Sequence, residues 1–398
     1  MNRSIVVKDF IEKNDGILRL KPSFVARDFL ETGKRLGLED DEYFLGERGW
    51  IAERWLGATN YAKTKLGPKD EGMCYLNLEN SEEVTLKEAI ELNSELIMGK
   101  EYSKTHDGLG RLAKIYSFKD RIQYHYHQIE KDARLVGSNS KEEAYYFPEN
   151  VDLGAHPETF FGVHPYIVEE KKFDILLPYL VDWDSDLILK HSRAYLQVPG
   201  EGFHIPSGIL HAPGTAVTIE LQEESDIFSI LQAKTGKVII PKDYLYNGIS
   251  DKDRAEYKES IILKQLDWEA NGDPYFYENH RLFPQLIEET KQDSGEEFWI
   301  YYNTTKFSGK KLIVNPGCAF ESKDNGVYNL LVWQGEGFVA DKFIKSGDFN
   351  SDELLVCHFK AEEPLIIKNT GNKPLIIIKF FGPDINIDIP YIKKYKKS

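Results

Sequence analysis

The sequence predicts a mainly β protein, with two blocks of short strands separated by a charged helical segment. Three observations predict it. Tyrosine and phenylalanine number 22 each, and runs rich in Val, Ile, Tyr and Phe favour pleated, half-buried backbone. From about 115 to 240, runs such as YHYHQIE, EEAYYF, SRAYLQVP and AVTIELQ succeed one another, broken by Gly, Pro and Asn. Short strands at such intervals read as a sandwich or barrel and not as βαβ units. From 296 the rhythm returns in EFWIYYN, KKLIVNP, YNLLVWQGEG, ELLVCHF and PLIIIKFFG.

The 398 residues, 41% hydrophobic and 29% charged, suffice for two or three soluble domains with a sizeable core. A net charge of −15 argues against nucleic acid or an anionic membrane as the main partner. Local lysines can still receive a small anion. Cys74, Cys318 and Cys357 form no CxxC and no disulfide framework, which fits a reducing compartment. No run approaches 18 apolar residues, and MNRSIVVKDFIEKNDG lacks the apolar core of a signal peptide. The expectation is a cytoplasmic protein.

Taken in order, residues 17 to 60 are punctuated by Pro22, Gly33, Gly37, Gly46, Gly49 and Gly57, a pattern of short strands and turns. In TLKEAIELNSELIMG, the apolar residues Leu86, Ile90, Leu92, Leu96 and Ile97 recur at helical spacing. Ser81 or Thr85 can cap that segment and Gly99 can end it, so a helix is predicted over 85–98. The charged stretch 251–292 is predicted helical and packed on the outside. The expected division is therefore an N-terminal metal-binding domain over 1–245, a helical connection over 246–292, and a C-terminal domain without a metal site over 293–398.

The chemistry centres on Ile122-Gln123-Tyr124-His125-Tyr126-His127. On a strand, Gln123, His125 and His127 share one face, each roughly 7 Å from the next, and Tyr124 and Tyr126 point away. Such a face can hold a metal ion when a further ligand arrives from elsewhere. A second anchor is Gly200-Glu-Gly-Phe-His-Ile-Pro206-Ser-Gly208-Ile-Leu-His211. Pro206 and Gly208 make a tight turn that places His211 at the start of the next strand, pointing inward. This spacing of Gly, Pro, Gly and His resembles the second motif of the cupin superfamily, with Thr215 where cupins usually carry Asn. The resemblance implies two cupin-type double-stranded β-helix barrels, or jelly rolls, with a small helical segment.

A third anchor, Ser140-Lys141-Glu142-Glu143-Ala-Tyr-Tyr-Phe, narrows the likeness. Lys141-x-Glu143 before an aromatic strand, then IPSGILH, then Glu220 and Asp226 nine and fifteen residues after His211, resemble the type I mannose-6-phosphate isomerases. Glu53-Arg-Trp55 resembles that family's Glu-x-Trp. The likeness covers about 17–245 and is only architectural beyond. It implies a metal-dependent aldose–ketose isomerase acting on mannose 6-phosphate or a related sugar, through an enediol. It implies metal ligands His125, His127, Glu143 and His211, catalytic residues Glu220, Lys141 and Asp226, and substrate contacts at Lys141, Glu53 and Trp55. The partner would be a small sugar or sugar phosphate, and the chain a monomer or homodimer.

Two positions depart from the family pattern. The family's Gln-x-His becomes His125-x-His127, with Gln123 as the alternative ligand to His125 and Glu130 as a rival carboxylate. The family's Arg four residues beyond the Asp is Ile230, for which Arg193, Lys234 or Lys237 could substitute. Three imidazoles and a carboxylate suit zinc first, with iron, nickel and manganese as alternatives. The same set could serve a metal-dependent oxygenase, or a non-catalytic sugar-sensing or regulatory protein. His156 and His164 are expected at the rim, and His204, out of phase with the turn, away from the ligands.

Overall fold

Alternating side chains and long-range pairing, with little local helix, build this chain. The computed structural model describes residues 3–78 and 83–396, and the chain divides into two compact units, each assembled from discontinuous segments. The first comprises Met1–Val25, Glu53–Ile115 and Phe283–Tyr391; the second comprises Ala26–Ala52, Tyr116–Leu282 and Ile392–Ser398. These boundaries do not coincide with a linear division at 245 and 292.

In the first unit, an eight-stranded sheet runs in the order Gln285–Leu286, Gly295–Tyr301, Ser308–Val314, Leu375–Phe381, Tyr328–Gln334, Glu353–Val356, Ile17–Lys21, Tyr75–Leu76. Ile17 pairs with Val356 and Leu20 with Leu76, so two early strands extend a sheet made otherwise of late ones. The helix Leu86–Met98 forms where its periodicity predicts. Thr85 Oγ1 accepts from the Glu88 N–H at 3.1 Å, an N-cap that satisfies an orphan donor. Gly99 ends the helix at φ 88°, a backbone that favours glycine. Ser81, the other cap candidate, lies outside the described residues. A further helix, Arg3–Lys13, buries Val7 and Ile11 and escaped the sequence reading.

The second unit carries the anchors. One five-stranded antiparallel sheet runs Ser229–Ile230, His125–Tyr126, His211–Ala212, Glu158–Phe161, Arg193–Leu196. Another sheet contains, in order, Arg281–Leu282, Gly202–Ile205, Glu143–Tyr146 and Thr218–Glu223. The expected double-stranded β-helix barrels are not what forms. Among the described residues every sheet has an open strand order, and none closes on itself. In the second unit the two sheets are joined by side chains and not by a continuous ladder. Phe161 of one and Phe203 of the other meet with ring centroids 4.9 Å apart, as in face-to-face sheet packing. Short edges such as Ser229–Ile230 and Arg281–Leu282 offer little backbone for closure.

Tyr124 and Tyr126 point away from the histidines, as alternation requires, into a core shared with Ile261, Ile262 and Leu263. These come from the helical segment, which covers that side of the strand. Its Gln265 accepts the Tyr126 hydroxyl at 2.7 Å.

Candidate metal centre

The turn at Pro206–Gly208 joins the two histidine anchors. Gly208 adopts φ 86°, the left-handed region that glycine enters without cost. Its N–H donates to the His127 carbonyl at 2.8 Å, and His211 then pairs directly opposite His125. Directly paired residues project to one side of a sheet. The imidazole centroids of His125 and His211 lie 4.1 Å apart, those of His125 and His127 5.1 Å, and those of His127 and His211 5.0 Å. Their ligand atoms all fall within 4.8 Å of one another, a cluster that could hold a metal ion.

Backbone carbonyls set the tautomers. His125 Nδ1 lies 2.6 Å from the Gln123 carbonyl, His127 Nδ1 2.7 Å from that of Ile227, and His211 Nδ1 2.9 Å from that of Ile209. A carbonyl only accepts, so each Nδ1 carries the proton and each Nε2 keeps its lone pair for a ligand. Burial pushes His127 down to about 3, with Lys141 adding to the effect. Burial also holds His125 well below the ordinary range, helped by His211 and His127. Neutral imidazoles are the form that binds metals.

Glu143 arrives from the other sheet. Its Oε2 lies 3.0 Å from His127 Nε2 and its Oε1 3.0 Å from His211 Nε2. Neither Nε2 makes a hydrogen bond. Lone pairs thus face a carboxylate in a fully buried site, an arrangement that a cation resolves. The residues therefore fit a metal ion. Burial alone would raise the Glu143 carboxyl, but its neighbours, the Lys141 ammonium foremost, outweigh it and hold the group well below the usual carboxylate range.

The sheet register brings further groups to the same face. Glu143 opposes Gln222, and Tyr145 opposes Glu220. Lys141 Nζ stands 3.3 Å from Glu143 Oε2 and 3.8 Å from Glu220 Oε1. The Tyr145 hydroxyl donates to Glu143 Oε1. Asp226 is engaged by Arg27, whose Nη1 and Nη2 reach its two oxygens at 3.3 and 3.2 Å. Both side chains are 4% exposed. Asp226 immediately precedes Ile227, whose carbonyl orients His127.

The remaining candidates fall elsewhere. Gln123 donates to the Phe29 carbonyl at 3.1 Å. Glu130 accepts from Arg134 and from the Ser140 N–H, at the start of the short helix Glu130–Ala133. His204 pairs with Glu142 at 2.7 Å, on the sheet face opposite Glu143. His156 is 42% exposed. In the first unit, Trp55 Nε1 donates to Glu53 Oε2 at 2.8 Å, with Lys114 Nζ 3.9 Å from that oxygen. Ile230 is buried beside Leu231 in an apolar core. Two of the proposed substitutes, Arg193 and Lys237, do not replace its missing guanidinium. Arg193 is spent on the Asn271 and Asp273 carbonyls, and Lys237 is exposed. Sequence reasoning missed Arg27 and Tyr145. Tyr145 was within reach, being one strand repeat from Glu143; Arg27 lies 199 residues from Asp226 and carries no local signal.

No protein-family model matches the chain, nor does the sequence of any curated protein. Solved structures do. The mannose 6-phosphate isomerase from Bacillus subtilis matches 92% of this chain and 99% of its own, at a TM-score of 0.62 and 17% identity. A putative mannosephosphate isomerase from Archaeoglobus fulgidus matches 92% and 97%, at 0.58 and 13%. A zinc-bound mannose 6-phosphate isomerase matches 92% and 100%, at 0.62 and 12%. Over nine-tenths of its length, this chain has the fold of the mannose 6-phosphate isomerases.

Proposed function

We propose that this protein is a metal-dependent aldose–ketose isomerase of a small sugar phosphate, with mannose 6-phosphate the first substrate to test. The observation that carries the reading is the convergence of three buried imidazoles and Glu143 beside Lys141 and Glu220. His125, His127, His211 and Glu143 would hold the ion, zinc by the donor set. A bound zinc would act as a Lewis acid on the sugar carbonyl and its neighbouring hydroxyl.

The chain's own residues would do the rest. Glu220 is the carboxylate outside the ligand set, and it takes the proton from C2 and returns it at C1 as the O2 proton passes to O1. Lys141, close to both Glu143 and Glu220, balances their charge and orients Glu220. Asp226 works through position: held by Arg27, it fixes the turn whose carbonyl orients His127. Arg27 brings to Asp226 the guanidinium that Ile230 does not supply. A sugar-phosphate substrate and the reduced cysteines fit a cytoplasmic enzyme, and no described helix is long and apolar enough to cross a membrane.

One observation favours a second reading. Ile230 is packed in an apolar core, which suits a protein that binds a sugar phosphate without converting it. An oxygen-free assay of the zinc-loaded chain with mannose 6-phosphate, coupled to detection of fructose 6-phosphate, separates these. Turnover supports the isomerase. Saturable binding without product supports the sensor, and O₂ consumption by the iron-loaded chain in a parallel aerobic run points to an oxygenase.

A further inference from the structure

The Glu143 carboxylate has a donor on each oxygen. Lys141 stands beside Oε2, two residues before it, and the Tyr145 hydroxyl sits on Oε1, two residues after it. The period-two repeat of a strand sends residues 143 and 145 to the same side. The two oxygens also face different imidazoles, Oε1 that of His211 and Oε2 that of His127. A carboxylate free to rotate would exchange these roles, so something must hold its plane.

The Tyr145 ring can do so because it cannot turn. It is 1% exposed, lies between the neighbouring strand residues Phe203 and Glu220, and meets Tyr116 edge-on with centroids 6.0 Å apart. Aromatic packing of this kind fixes the position of the phenol oxygen. Tyrosine here goes beyond the packing need, since phenylalanine would fill the same volume; the hydroxyl adds only the bond to Glu143.

We propose that Tyr145 is a positioning residue of the metal centre. Its hydroxyl locks the plane of the Glu143 carboxylate, so that Oε1 is shared with a protein donor and Oε2 is turned toward His127. The proposal rests on the isomerase reading only in needing a metal ion at this cluster. Donors that orient a ligand from behind typically contribute ten- to a hundredfold in metal affinity.

The test is a titration of the full-length, metal-stripped chain with Co²⁺, read by its visible d–d absorption, for wild type, Tyr145→Phe and Tyr195→Phe. The last removes a hydroxyl from the same aromatic core without removing a donor to Glu143. Tyr145→Phe should bind Co²⁺ about tenfold more weakly or worse, with its absorption band shifted, and Tyr195→Phe should match wild type in both. Equal affinity and an unshifted band in Tyr145→Phe would overturn the proposal and leave the metal centre standing. Matching losses in both variants would also overturn it, assigning the effect to packing. A wild type that takes up no Co²⁺ would overturn the proposal together with the reading beneath it.

Discussion

His127 Nε2 and Glu143 Oε2 face each other at 3.0 Å in a buried site. With the His127 proton held on Nδ1 by the Ile227 carbonyl, this is one acceptor set against another. Two acceptors so placed repel unless a cation lies against both, and the electrostatic design of the second unit follows from that pair. Lys141 supplies part of the compensation, and the imidazole cluster provides for the remainder.

Glu220→Gln keeps the shape of the side chain and removes its basicity. General-base catalysis by a positioned carboxylate contributes roughly 10²- to 10⁴-fold, so kcat should fall by that factor with metal content unchanged. Steady-state kinetics beside elemental analysis check both halves. A variant with wild-type kcat would remove Glu220 from the reaction.

Lys379, fully buried in the first unit, donates to Glu297, Asp324 and Ser322. These carboxylates, Asp324 at 2.7 Å, hold its pKa above the ordinary lysine range against the opposing effect of burial. Removing one partner of a buried pair leaves the other charge stranded, at a cost of about 3–5 kcal/mol. Lys379→Met should lower the denaturant midpoint accordingly. A loss under about 1 kcal/mol would show that the network contributes less than a typical buried pair.

Much of this was legible in the sequence, and the reason is local. Pro206, Gly208 and His211 lie within six residues, and one turn geometry satisfies all three. Lys141, Glu143 and Tyr145 sit within one stretch of alternating backbone. The Arg27–Asp226 pair and the pairing of Ile17 with Val356 join segments far apart in the chain, where no periodicity reaches. Barrel closure was misread for the same reason. The turn motifs specify adjacent strands, but closure depends on whether the two outermost strands meet, and that is decided by packing such as Phe161 against Phe203.

Glu353 gives stability an unusual pH dependence. Burial pushes its pKa up to about 7 from an ordinary 4.5, with Asp352 raising it further and Arg54 opposing. Between those values the folded chain holds a proton that the unfolded chain has released. This group's contribution is therefore fully present below about 4.5 and is lost as pH rises through 7. At about 1.4 kcal/mol per pH unit, the loss amounts to about 3 kcal/mol. Glu353→Gln keeps an acceptor for the Gly57 N–H, which donates to Glu353 Oε1 at 2.6 Å. It should flatten the stability profile over pH 5–7, measured by urea denaturation; an unchanged profile would assign the dependence to other groups.

Metal content tests the central claim most directly. Wild type and His211→Ala are purified in parallel with zinc in the medium, dialysed, and analysed for bound metal per chain. His211 Nε2 is buried and has no hydrogen bond, so its loss opens the ligand set, at the further cost of the Nδ1 bond to the Ile209 carbonyl. The account predicts about one ion per wild-type chain and a clear loss in His211→Ala, whose purified, folded chain should also fail to isomerise mannose 6-phosphate. Equal metal in the two proteins, or none in the wild type, would contradict it.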